Sequence, residues 1–133
     1  MTPLTIHNPP ALGDPTPNGY SAAVAAPAGT RLAFVSGQGG QDATGALSPD
    51  FAAQVRQAYA NLATVLDALG AAPDRVAKLT TYVVDHDESK LGTLTEAVTQ
   101  MFGDRLPAQT LVPVPRLAIA PMLFEVEAVV ALD

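Results

Sequence analysis

Apolar positions recur along this chain with two periods, and the changes of period mark its elements. Two strand-like runs come first. Tyr20 to Val24 is short, and Arg31-Leu-Ala-Phe-Val-Ser-Gly-Gln38 reads as a buried strand that ends at Gly37. Gly39, Gly40 and Gly45 read as a flexible connection. From Phe51 the period changes: Phe51, Val55, Tyr59, Leu62, Leu66 and Leu69 follow at three or four residues, one apolar stripe along a helix of about five turns. Ser48 is the expected cap, Pro49 suits the first helical position, and Asp50 complements the positive end of the dipole. Gly70 fits the left-handed position just past the last turn.

Val76 to Asp85 contains Leu-Thr-Thr-Tyr-Val-Val, a run of β-branched and aromatic residues that predicts a strand. Leu91, Leu94, Val98, Met101 and Phe102 predict a second amphipathic helix closed by Gly103. Gln109 to Val114 and Leu123 to Leu132 predict the last two strands. The predicted order is ββαβαββ, and two helices suffice for one face of a sheet. In the last strand Phe124, Val126, Ala128 and Val130 share a core face, while Leu123, Glu125, Glu127 and Val129 share the other. That second face needs cover from outside the chain, which points to self-association.

Composition sharpens this expectation. The chain has 133 residues, enough for one domain, and no repeat or linker suggests a boundary. Charged residues are 15% of the total and apolar residues 48%, little material for a fully wetted surface, and this favours a homo-oligomer. Cysteine is absent, which excludes disulfides, thiolate metal sites and thiol catalysis. Seven Lys and Arg against 13 Asp and Glu give a net charge of −6, so nucleic acid is a poor partner. Neither a signal peptide nor an 18-residue apolar run is apparent, so the expectation is a soluble, cytoplasmic protein with no membrane partner.

Six segments in order and spacing resemble one known family. They are Tyr20-Ser-Ala-Ala-Val24, Phe34-Val-Ser-Gly-Gln38, Phe51 to Leu62, Lys78-Leu-Thr-Thr-Tyr-Val-Val-Asp85, Pro107-Ala-Gln-Thr110 and Phe124-Glu-Val-Glu-Ala128. The chain resembles the reactive-intermediate deaminase family (RidA, or YjgF) from about Tyr20 to the end. The resemblance implies a chorismate-mutase-like α+β fold: a six-stranded mixed sheet with two helices on one face. It further implies a homotrimer with a small-molecule cleft at each subunit interface. Active members hydrolyse 2-imino acids and their enamine tautomers to 2-keto acids and ammonia. In them an arginine in a Pro-Ala-Arg-Ser/Thr motif grips the substrate carboxylate, and the first glutamate of the closing strand orients the water.

Glu125 matches that glutamate. The arginine position holds Gln109, whose amide offers two N–H donors and no charge. Thr95 stands where the family has an asparagine, and Leu111 where it has a cysteine. The resemblance therefore implies a cleft lined by Tyr20, Ser36, Gly37, Gln38, Gln109 and Leu111, with Glu125 as the catalytic group, and an arginine substituted at position 109 would face it across the cleft. The expected function is deamination of an imine or enamine other than the usual 2-imino acids, or ligand binding without catalysis. Glu125 also reads as a barrel-face carboxylate, and Glu127 as structural. Ser36 to Gln38 read equally well as a strand end.

Asp85-His86-Asp87-Glu88 resembles a metal cluster only superficially, because sequence neighbours point apart and acidic residues suit a helix start. His7 reads as a surface residue. Ser36-Gly-Gln-Gly-Gly40 lacks the glycine spacing and lysine of a phosphate loop, so no metal or other cofactor is expected.

Overall fold

The computed structural model describes residues 2–133, with six strands and two helices. In chain order they are β1 (Thr5–His7), β2 (Ala23–Ala25), β3 (Arg31–Gly39), α1 (Phe51–Leu69), β4 (Val76–Val84), α2 (Leu91–Phe102), β5 (Ala108–Val114) and β6 (Phe124–Leu132). Four strands form one mixed sheet in the order β3-β6-β4-β5. β4 and β5 are parallel, which requires a crossover, and α2 makes it. β6 runs antiparallel to both of its neighbours. β1 and β2 form an antiparallel ribbon, and Ser21 ties it to the sheet edge through a parallel bridge to Ala108. The architecture is thus α+β, two helices packed on one side of six strands hydrogen-bonded as four and two.

β1 lies in the proline-rich lead-in, where the apolar pattern predicts no strand, and His7 is exposed on it. The first strand-like run is displaced as well, beginning at Ala23 rather than Tyr20. β3 runs through Gly39 rather than stopping at Gly37, because a register shift between Val35 and Gln38 absorbs the irregular residues within the strand.

The start of α1 differs from expectation in its cap. Asp50 is extended, and its side chain accepts a hydrogen bond from the Ala53 N–H at 3.0 Å, so Asp50 and not Ser48 is the N-cap. A carboxylate both satisfies the orphan donor and opposes the dipole, which a serine hydroxyl does less well. Ser48 accepts from the Asp50 N–H instead. At the far end Gly70 is left-handed (φ 68°), with its N–H on Asp67 O and the Ala71 N–H on Leu66 O, the paired bonds of a Schellman motif.

Val55, Leu62 and Leu66 of α1 and Leu94 and Val98 of α2 bury their stripes against Leu79 and Val83 of β4 and the alternate residues Phe124, Val126, Ala128 and Val130 of β6. The rings of Tyr59 and Phe51 stand 5.8 and 6.3 Å from that of Phe124. Neither helix covers the other face. There Tyr82 pairs with Glu125, Thr80 with Glu127 and Lys78 with Val129, all half-buried, and Phe34 is 76% exposed. Among the described residues no helix is long and apolar enough to cross a membrane.

Candidate functional site

Between α2 and the edge strand β5 lies a cavity of about 340 Å³. Asn18, Tyr20, Thr95, Gln109 and Leu111 line its wall, and Leu91, Leu94 and Val98 form its apolar base. Leu94 and Val98 share one face of α2 with Leu91, so the helix stripe that faces the sheet also floors the cavity. Gln109 and Leu111 reach it because directly paired strand residues share a face: Gln109 pairs with Leu79, which is fully buried under the helices. The third wall is a turn. Gly19 is left-handed (φ 85°), and the Thr95 hydroxyl donates to Asn18 O at 3.4 Å, which lays Asn18 and Tyr20 over α2.

The other expected site residues gather elsewhere, at the uncovered face. Glu125 of β6 lies between Tyr82 and Gly39 in register. Gly37 approaches it so closely that a Cβ there would fall 1.9 Å from Glu125 Oε1. Gln38 donates through Nε2 to Ser36 O at 3.1 Å, closing the irregular stretch on itself. Beside Glu125, the Tyr82 hydroxyl donates to Glu127 Oε1. That bond foremost, then desolvation and the charges of Glu127 and Glu125, holds the Tyr82 phenol above its ordinary range.

Two amides, Gln54 fully buried and Asn61 half-buried, pin the frame behind Glu125. Gln54 is fully buried; its Nε2 donates to Ser48 O and Pro121 O at 2.8 and 2.9 Å, and its Oε1 accepts from the Leu123 N–H at 2.9 Å. Asn61 Nδ2 donates to Gly39 O and Gln41 O. Gly40 lies flat on α1, where a Cβ would come 2.7 Å from the backbone of Gln54.

The structure therefore brings Tyr20, Gln109 and Leu111 together, and separately Ser36, Gly37, Gln38 and Glu125, but it keeps the two groups apart. Gln109 is on the helix side and Glu125 on the uncovered side, with β4 between them. Their registers on β4, Leu79 and Tyr82, differ by three residues. Two strand spacings across and three residues along amount to roughly 14 Å between their backbones. One copy of the chain cannot place both against one small molecule.

Arg105 and Arg116 do not replace the missing arginine. Arg105 donates to Leu4 O and Arg116 to Leu117 O, away from the cavity. Asp87 accepts from the Ser89 N–H and caps the turn Glu88–Lys90, which accounts for the acidic run before α2. Asn18 is the wall residue that the pattern did not single out. Its signal is the Pro17-Asn18-Gly19 sequence, a turn signature inside the proline-rich lead-in.

Two helices over one face of a mixed sheet, a helix-side cavity at its edge strand and an opposite face without helices that carries two carboxylates define a recognisable class of α+β protein. The chain belongs to the Rid/YjgF family: the family model described as Endoribonuclease L-PSP matches residues 13–132. It is similar to YyfB of Yersinia pestis, a Rid-family protein of unknown function, with 33% identity and a TM-score of 0.92 over 98% of this chain and 100% of that one. It is also similar to RidA of an Antarctic Psychrobacter, with 27% identity and a TM-score of 0.70 over 96% and 98% of the two chains. Rv2704 of Mycobacterium tuberculosis, a member of the YjgF/YER057c/UK114 family, shares 28% identity with a TM-score of 0.66 over 97% and 99%. No curated protein sequence matches this one significantly.

Proposed function

We propose that the chain assembles as a homotrimer and hydrolyses an imine- or enamine-type metabolite other than the usual 2-imino acids. Water adds to the C=N carbon, the C–N bond breaks, and a carbonyl compound and ammonia leave. The observation that carries this reading is Gln109 in the wall of the helix-side cavity, beside Tyr20, Thr95 and Leu111. An arginine there would give a carboxylate a charged, two-pronged partner, and a neutral amide does not. The loss is worth about 2–4 kcal/mol, or roughly 30- to 1000-fold in rate on a 2-imino acid.

Assembly supplies what one copy lacks. The uncovered face, with Phe34 exposed and Glu125 half-buried, is the surface that other copies cover. The cleft then joins the Gln109 cavity of one copy to Glu125 and Gly37 of another, and Glu125 orients the water. The second reading, a binding or regulatory protein without catalysis, draws on one observation: among the described residues Tyr20 is the sole titratable side chain in the cavity wall. The nuclease activity in the family description is disfavoured here by the net charge of −6.

The test generates 2-iminobutanoate and 2-iminopropanoate in situ and follows keto-acid release. Rates well below those of arginine-bearing members are expected, followed by activity in a screen of neutral and cationic imines. Full activity on the 2-imino acids would refute the role given to Gln109. Silence in both screens would favour the non-catalytic reading.

A further inference from the structure

Resting on the reading that the helix-side cavity is where an imine is hydrolysed, we infer that this cavity takes a 2-imino amide. That is the carboxamide counterpart of a 2-imino acid, here with an apolar arm of about six to eight carbons. Gln109 sets the head. Gln54, Gln57 and Asn61 spend their amides within the chain: Gln54 on Ser48 O, Pro121 O and the Leu123 N–H, Gln57 on Asn61 Oδ1, and Asn61 on Gly39 O and Gln41 O. The Gln109 side chain has no such partner among the described residues. It lines the cavity with neither its oxygen nor its nitrogen sealed inside the protein.

A primary amide on the ligand matches Gln109 at both ends, because Nε2 donates to its carbonyl while Oε1 accepts from its N–H. A carboxylate only accepts, so it satisfies one end and sets its lone pairs against Oε1. It also leaves water with no charge in return, since among the described residues no lysine, arginine or histidine lines this cavity. In the proposed trimer the facing surface adds Glu125, a like charge for an anionic head, and Lys78 on that surface donates to Thr110 Oγ1. The arm follows from the space. The volume of about 340 Å³ falls within the range of small-molecule pockets, about 300–1,000 Å³, and leaves room beyond a four-carbon acid. Leu94, Val98 and Leu111 line it, and Leu91 and Tyr20 beside them are 44% and 37% exposed, apolar surface that an arm removes from water. Water then adds to the C=N carbon, the C–N bond breaks, and a 2-oxo amide and ammonia leave with the carboxamide untouched.

Calorimetric titration of the full chain in its native assembly with 3-phenylpropanamide, 3-phenylpropanoate and propanamide tests head and arm separately. The expected result is 3-phenylpropanamide tightest, by about 10-fold or more over each of the others. Gln109→Arg should invert the head order, so that 3-phenylpropanoate binds about 10-fold tighter than the amide. Gln109→Leu, which keeps the bulk and removes both polar atoms, should weaken 3-phenylpropanamide by about 10-fold. Equal binding of 3-phenylpropanoate and 3-phenylpropanamide in the unaltered chain, or an amide preference that survives in both variants, overturns the head. Equal binding of propanamide overturns the arm, and failure of all three to bind overturns the inference. Catalysis is read apart from this, on the imine that 2-oxo-4-phenylbutanamide forms with ammonia, diluted into buffer while return of the carbonyl is followed. A chain that prefers the amide but does not speed that return keeps the ligand class and loses the deaminase reading. One that hydrolyses other neutral imines without the amide preference keeps the deaminase reading and loses this inference.

Discussion

Gly37 and Glu125 contend for one volume. A Cβ at position 37 would lie 1.9 Å from Oε1 of Glu125, 2.5 Å from its Cδ and 2.8 Å from its Cγ. The clash reaches the stem of the glutamate, so rotation of the carboxylate alone does not relieve it. Glycine is needed here for space, since its backbone is not among the left-handed glycines of the chain. The absence of a side chain at position 37 is what sets the Glu125 carboxylate against the irregular stretch of β3.

Gly37→Ala should cost about 1–3 kcal/mol in urea denaturation by forcing Glu125 out of place. In a Glu125→Ala background the same substitution should cost less by at least about 0.5 kcal/mol, the coupling expected of residues in contact. An equal cost in both backgrounds would show that the clash is relieved by backbone movement instead.

Gln109→Arg should create or raise activity on 2-iminobutanoate by about 10- to 100-fold, short of the full worth of a bidentate pair because in the proposed trimeric cleft the new guanidinium would also meet Glu125. Glu125→Ala on top of it should remove most of the gain. A folded, trimeric and inactive Gln109→Arg would shift the weight to Thr95 and Leu111.

Tyr82 makes part of the stability of the open face depend on pH. Its folded-state pKa is raised above the ordinary value of 10.0, chiefly by the bond to Glu127. A raised pKa means that the contribution is fully present below pH 10 and is lost as the pH climbs through the folded-state value. Absorbance titration of the phenolates in a Tyr59→Phe background, which leaves Tyr20 and Tyr82, should show the later ionisation move to lower pH in Glu127→Gln. An unmoved curve would mean that Glu127 is not the cause.

Gln54→Ala should lower stability by about 3–5 kcal/mol, because it opens a cavity and orphans the Leu123 N–H together with the carbonyls of Ser48 and Pro121. The urea midpoint should fall with an unchanged m-value. A loss under about 1 kcal/mol would mean that water replaces all three bonds.

Both helices and the longer strands were legible in the pattern of apolar residues, because an amphipathic stripe or a clean alternation states its own buried face. The stripe from Phe51 to Leu69 and the alternation from Phe124 to Val130 are of this kind. The bare second face followed by counting, since two helices cover one side of a sheet. Gln109 was legible as a departure from the family motif, and with it the loss of charge at that position.

What the pattern leaves open is settled by contacts between distant parts of the chain. β1 is three residues among prolines, too short to carry a period, and its neighbourhood is held by Arg75 on Thr2 O and Arg105 on Leu4 O. Asn18 enters the cavity wall only because the Gly19 turn docks on Thr95. Most decisive is the side of the sheet on which each polar group falls. Gln-Thr-Leu-Val-Pro-Val in β5 has no alternation to read, so only its register against Leu79 sends Gln109 to the helix side, opposite the face on which the alternation of β6 already set Glu125. Local sequence dictates period and propensity; pairing register, which depends on which strand lies next to which, dictates which groups meet.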